Sequence, residues 1–183
     1  MAHPDDETIW MGGTLLSNPK WNVTIISLCR KTDTDRAPKF KKVCRVYNAK
    51  SFISDLEDED LKDLDREEFT KRILKFADKS YDYIFTHGRN GEYGHKRHIE
   101  THNAVKFLVD KKQILAKKLF FFSYRKSGAI CNASARSDKF INIKDEIYLE
   151  KKKIITKIYG FQRGGFEEKC SKKIEGFKIK KIK

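Results

Sequence analysis

An α/β fold, with a mainly parallel sheet covered by helices on both faces, is what the sequence predicts. Three observations carry that expectation. Short apolar runs of strand character alternate with stretches of helical periodicity, the pattern that builds parallel sheets through crossover helices. The runs are rich in β-branched and aromatic residues, as strands are. Finally, 183 residues with 13 Phe, 7 Tyr and 2 Trp hold enough buryable surface for one real core, which excludes a disordered chain.

Taken in order, residues 6–17 set Ile9, Gly12, Gly13 and Leu16 near helical spacing, and Asn18-Pro19 is a natural stop. Residues 21–28 (WNVTIISL) are a β-branched run and read as a buried strand. In residues 36–47, Phe40, Val43 and Tyr47 fall three and four apart, which predicts a short amphipathic helix. A brief strand at 50–53 precedes an acidic loop over 55–68, and Phe69, Ile73 and Phe76 line one face of a second crossover helix at 66–78. Residues 81–86 (YDYIFT) read as a strand ending in His87, followed by a Gly-rich loop at 88–94 and a helix from about 96 to 109. Strands are expected at 119–124 and 140–143. A final helix at 144–159 turns Ile147, Ile154 and Ile158 inward. Without repeat or linker, residues 1–183 form one domain with a basic tail from about residue 169.

The chain carries 40 Lys+Arg against 26 Asp+Glu, a formal net charge of +14. Much of the excess lies in that tail, KCSKKIEGFKIKKIK. Such a tail suits a phosphate-bearing partner. Its lysines are interleaved with Ile and Phe, however, and no nucleic-acid motif accompanies them, so a solvated face is the simpler reading. No apolar run approaches the ~20 residues of a spanning helix, and the N-terminus has neither the basic start nor the apolar stretch of a signal peptide. Cys29, Cys44, Cys131 and Cys170 form no C-x-x-C pair and read as reduced core thiols, which predicts a cytoplasmic protein.

The chemistry concentrates in two patches. His3-Pro4-Asp5-Asp6-Glu7 stands directly before a helix, and His95-Lys96-Arg97-His98 closes the Gly-rich loop after a strand. In an open α/β sheet, loops leaving the carboxyl ends of strands converge on one crevice, so distant patches can meet there. Imidazoles plus a carboxylate make a three-ligand metal site with an open position. A divalent metal brings the pKa of water down to about 7, a second carboxylate serves as general base, and a further histidine steadies an oxyanion. His3, Asp5, Asp6, His95 and His98 supply five groups of these types, which points to metal-assisted hydrolysis of an acyl bond.

Ala2-His3-Pro4-Asp5-Asp6-Glu7, with Gly12-Gly13 beyond it, resembles the first signature of the PIG-L/LmbE-like de-N-acetylases. Gly91-Glu92-Tyr93-Gly94-His95-Lys96-Arg97-His98 resembles their second, G-x-x-G-H-x-x-H after a strand ending in Thr-His. The likeness runs over about residues 1–125. It implies a Rossmann-like sheet and zinc-dependent removal of acetyl groups from N-acetylglucosamine-type amino sugars, free or in a glycoconjugate. By the same resemblance His3, Asp6 and His98 hold the metal, Asp5 is the general base and His95 assists the tetrahedral intermediate. Arg36 contacts substrate. Zinc is the implied metal, although a His₂Asp set also accepts Fe²⁺ or Co²⁺. The basic surface mildly favours an anionic substrate. In the family the first signature follows a central strand that this sequence lacks, which predicts a gap in the middle of the sheet and a loosely held His3, Asp5 and Asp6.

Other readings compete. Asp33-Thr34-Asp35 matches the D-x-D of metal-dependent glycosyltransferases. His3-x-Asp5 with a distant histidine fits an iron facial triad, but a helix directly after it argues against the barrel those enzymes use. His98-Ile99-Glu100-Thr101-His102 misses the zinc-protease H-E-x-x-H by one place, about 100° around a helix. A truncated relative without catalysis, acting as a binding module, is the non-enzymatic alternative. The glycine-aromatic segment 159–166 suits either a sugar-stacking loop or an ordinary turn.

Overall fold

The computed structural model describes residues 1–182. Helix α1 (Asp6–Leu16) leads into β1 (Val23–Cys29), and α2 (Arg36–Val46) crosses over to β2 (Ala49–Leu56). Helix α3 (Arg66–Phe76) leads to β3 (Ser80–Thr86). The short α4 (Gly91–Gly94) and the long α5 (Lys96–Asp110) then return the chain to β4 (Leu115–Phe122). A hairpin follows, β5 (Tyr124–Ser127) with β6 (Ile130–Ala133), and then β7 (Lys139–Asn142). Helix α6 (Asp145–Lys153) runs into a π-helical turn at Ile154–Ile158, and α7 (Phe166–Cys170) and β8 (Ile174–Lys181) complete the fold.

Strands β1 and β2 pair in parallel, as do β3 and β4. Strand β8 then adds antiparallel to β4 and carries β7 on its other side. Helices cover both faces, because successive strand residues point opposite ways. Ile25 joins Trp10, Phe40, Val43 and Phe122 in one apolar cluster, while its neighbour Ile26 packs against the other, built on Leu28, Phe69, Ile73 and Leu108. The expected α/β architecture is therefore present, with helices α1 and α2 on one side and α3 and α5 on the other.

Two expectations need correction. The basic tail is not a solvated face: residues 174–181 are strand β8, in which Glu175, Gly176 and Phe177 are buried. Alternation explains part of this, since Phe177 and Ile179 fall on one face and Lys178 and Lys180 on the other; the lysines mask a strand of period two. Nor is the helix after residue 144 the last element, because α7 and β8 follow it. The β5–β6 hairpin was not foreseen either.

Glu175 and Ile143 together account for Gly13. The Glu175 carboxylate accepts from the Gly13 and Thr14 backbone N–H groups at 2.7 and 2.8 Å and from the Thr14 hydroxyl at 2.6 Å. The buried Lys151 ammonium donates to it at 2.7 Å. This approach needs a bare Cα: a Cβ on Gly13 would meet Ile143 side-chain carbons at 2.4 and 2.6 Å. Gly13→Ala is expected to cost about 1–3 kcal/mol through overpacking, read as a lower denaturant midpoint with unchanged slope.

The gap expected in the sheet is there. Among the described residues no strand joins β1 to β3, and a groove of about 780 Å³ lies between them, walled by Ile25, Trp21, Tyr83 and Phe85 and reached by Met1. The first signature is nevertheless not loose. Met1 donates its amino N–H to the Ile26 carbonyl at 2.6 Å and accepts from Leu28 N–H at 3.0 Å, while Ala2 accepts from Cys29 N–H at 2.9 Å. The Met1 bonds are those of a parallel ladder. Two residues thus anchor the signature to the carboxyl end of β1.

Candidate metal centre

The two patches meet at the carboxyl ends of β1 and β3. His3 and Pro4 follow the anchored Met1-Ala2 stub, and a tight turn at Asp5 (φ 109°) starts α1. His98 sits in the first turn of α5, whose N-terminus His95 caps by accepting from the Arg97 N–H at 3.2 Å. The distances are short. His3 Nδ1 lies 3.1 Å from His98 Nε2 and 3.4 Å from Asp6 Oδ2, and His98 Nε2 lies 3.4 Å from Asp6 Oδ1. Ligand atoms of His3, His95 and His98 all fall within 4.8 Å of one another, as do those of Asp6, His87 and His98.

Hydrogen bonds fix which nitrogens face inward. His98 Nδ1 lies 2.6 Å from the buried Glu92 carboxylate, and His3 Nε2 lies 2.9 Å from Asp58. Carboxylates only accept, so each of those nitrogens carries the proton. The inward-facing His98 Nε2, His3 Nδ1 and Asp6 oxygens are then all acceptors, and they converge on one another. Such an arrangement demands a cation. Ligand-to-ligand edges in a tetrahedral zinc site are about 3.3 Å for bonds of ~2.0–2.1 Å; the His3 Nδ1–His98 Nε2 separation is close to such an edge, and Asp6 flanks it with Oδ2 toward His3 and Oδ1 toward His98. The residues fit a divalent metal. Without one, a proton takes that place: burial opposes charge on His3, but hydrogen bonds to Asp58 and Asp6 outweigh it and push its pKa up to about 10.

Burial also works against charge on Asp6, yet His98 and His87 beside it hold its carboxyl well below the usual range. Asp5 goes the other way. Burial, then the negative Asp6, push it well above the ordinary carboxylate value, and the Arg36 guanidinium, 2.7 Å away, pulls it partly back. His95 is lowered to about 4 by burial and by His98 and His3, so it is neutral at pH 7. With Nδ1 accepting from the helix, its proton is on Nε2, a donor.

These groups floor a cavity of about 290 Å³ bordered by Trp10, Tyr93 and Phe166 as well as Arg30, Arg36 and Glu167. Arg36, the expected substrate contact, borders it, with its guanidinium paired to Asp5 and stacked 4.2 Å over the Phe161 ring. Of the 159–166 segment, Phe166 lines the cavity and Phe161 stacks on Arg36. Asp33 accepts from the Asp35 and Arg36 N–H groups at the start of α2, and Asp35 pairs with Lys39, so the D-x-D acids are occupied in building that helix end.

Three partners escaped the sequence reading. Glu92, at a left-handed φ of 59°, accepts from Gly88 N–H and faces both His87 and His98. His87 Nε2 accepts from Ala2 N–H at 2.9 Å, and its ring stacks on His98 with centroids 3.9 Å apart. The third is Asp58, from the loop after β2. His102 turns out to be buried, donating from Nδ1 to the His87 carbonyl at 2.8 Å. The Thr-His ending of β3 was the one signal for His87.

Comparison with known proteins bears on the family and the fold. The profile described as GlcNAc-PI de-N-acetylase, PIG-L, matches residues 1–109. The uncharacterized protein L374 of Acanthamoeba polyphaga mimivirus is 30% identical over 118 residues, 54% of this chain and 51% of that protein; the chain spans about half the length of this curated relative. Among solved structures, the conserved protein TT1542 from Thermus thermophilus superposes with a TM-score of 0.69 at 15% identity, covering 97% of this chain and 90% of that one. Dbv21, the deacetylase of the A40926 pseudoaglycone, gives 0.61 at 14% identity, covering 87% and 78%. A deacetylase of the teicoplanin biosynthesis pathway gives 0.61 at 13%, covering 87% and 82%. At such identities the structural likeness is one of fold, whereas the profile match takes in more than half of the sequence and both histidine patches: the chain belongs to the PIG-L family of GlcNAc-PI de-N-acetylases.

Proposed function

We propose that the protein is a zinc-dependent hydrolase that removes the acetyl group from an N-acetylglucosamine-type amino sugar or glycoconjugate. The observation that carries this reading is the convergence of three acceptors, His3 Nδ1, Asp6 and the buried His98 Nε2, beside a cavity lined by His3, Asp6, the high-pKa Asp5 carboxyl and the neutral His95 imidazole. His3, Asp6 and His98 would hold the metal. When bound, the cation acidifies water and draws electron density from the amide carbonyl. Asp5, a stronger base than an ordinary carboxylate, takes the proton of the attacking water. The water oxygen adds to the acetamide carbon, and His95 donates to the developing oxyanion. Asp5 then returns its proton to the nitrogen as the C–N bond breaks, giving acetate and the free amine.

The cavity lies at the small end of ligand pockets and suits one sugar unit, with Trp10, Tyr93 and Phe166 as apolar walls. Arg30 and Arg36 are each paired to a carboxylate, which favours a neutral ring at the cavity floor over an anionic one.

Metal analysis with acetate release over a panel of acetylated amino sugars tests the reading; protein that binds no zinc at neutral pH and releases no acetate would overturn it. Titration sharpens the test. Zinc must displace the proton on His3, so about one proton is expected to leave per zinc bound at pH 7. The sign follows from the raised pKa: affinity climbs with pH, by about tenfold per unit, and levels off near His3's value of about 10. Calorimetry in buffers of different ionisation enthalpy reads the proton count.

A further inference from the structure

Asp58 belongs to a segment that the sequence marks only as an acidic loop, yet its side chain is 5% exposed. One oxygen, Oδ1, faces His3 Nε2 at 2.9 Å. The other, Oδ2, accepts twice from Arg30, from Nε at 3.1 Å and from an Nη at 2.8 Å. Arg30 is itself set by a left-handed turn (φ 72°) directly after β1. The carboxylate is thus clamped on one side and spends its free oxygen on His3.

An imidazole has two tautomers of similar energy, and only one leaves Nδ1 bare. We propose that Asp58 is a positioning residue: by accepting from Nε2 it fixes His3 in the tautomer and ring orientation that turn Nδ1 toward Asp6 and His98. It rests on the metal-dependent reading above. His98 receives the same treatment from Glu92 through the opposite nitrogen, so the two imidazoles offer different ring nitrogens to one point. Partners of this kind are commonly worth 10–100-fold in metal affinity.

A rival role for Asp58 is to bind a second cation, since His3, Cys29 and Asp58 also lie within 4.8 Å of one another. Two features argue against it. The Arg30 guanidinium already places a positive charge on Oδ2. Burial raises the Cys29 thiol and keeps it protonated, so it is no thiolate ligand.

The test is zinc affinity of the full chain, by competition with a chromogenic chelator, alongside nitrogen-15 shifts of the His3 ring in the zinc-loaded protein. Asp58→Ala is expected to weaken zinc about 10–100-fold and to mix the His3 tautomers. Asp58→Asn has a single acceptor oxygen, which Arg30 and His3 Nε2 both need, so it is expected to weaken zinc too, by no more than the alanine variant. Should the alanine variant fail to fold, Arg30→Met provides the second measure: an unclamped carboxylate weakens zinc by about three- to tenfold. Wild-type affinity in Asp58→Ala with an unchanged His3 tautomer would overturn the positioning role alone. Two zinc ions per wild-type chain, falling to one in Asp58→Ala, would overturn it in favour of the second cation. A wild-type chain that binds no zinc would instead remove the reading beneath it.

Discussion

Replacing Asp5 with Asn lowers acetate release by about 10²–10⁴-fold, the range that general-base catalysis supplies, and leaves zinc bound. The two effects separate because of where the side chain points. Asp5 is adjacent to Asp6 in sequence, but the turn at φ 109° sends its carboxylate to Arg36, outside the converging set of His3, Asp6 and His98. Asparagine tolerates positive φ better than most residues, so the turn survives, and its amide oxygen still accepts from Arg36. What it loses is the capacity to take a proton. The fall is therefore expected in kcat with little change in KM, and in single-turnover acetate release at constant zinc content. Loss of zinc together with activity would make Asp5 a ligand, and activity within tenfold of wild type would place the base elsewhere.

How much of this was legible beforehand divides along a physical line. Local signals were readable: the β-branched runs that became β1 and β3, the helical spacing of Phe40, Val43 and Tyr47, and the spacing of His95 and His98 on one helix start. His3, Asp6 and His98 were expected together, and the fold brings them within 3.4 Å. The groups that hold them were hidden because tertiary position alone gives them their partners. Asp58 looked like one more acid in a charged loop, and Glu92 like a polar residue in a glycine turn. Neither has a local signature, since what matters is the imidazole each faces across the site. Strand β8 was hidden differently. Its lysines dominate the composition, and only the alternation around Phe177 betrays a core strand; Glu175, which ties β8 to Gly13 and Thr14, is bonded 161 and 162 residues away in sequence.

A Val/Ile-rich pentapeptide fused directly before Met1 is expected to stabilise the protein by about 3 kcal/mol, or a rise in Tm of about 6–12 °C for a chain of this size. The register gives the reason. Met1 already makes parallel-ladder bonds on both sides of Ser27, to Ile26 and Leu28, so residues placed before it would run back along Val23–Ile26. There the edges of β1 and β3 face each other across the groove with Trp21, Tyr83 and Phe85 exposed to it. An inserted strand would pair both edges and cover those rings, gains that exceed the roughly 1–2 kcal/mol per residue needed to order it. Zinc affinity should change little, because Ala2 and His3 are already held by Cys29 and His87. A Gly/Ser pentapeptide is the control. Equal melting of the two fusions would show that the groove takes no strand, whereas a large gain in zinc affinity would show that the two-residue anchor leaves His3 and Asp6 short of their working positions.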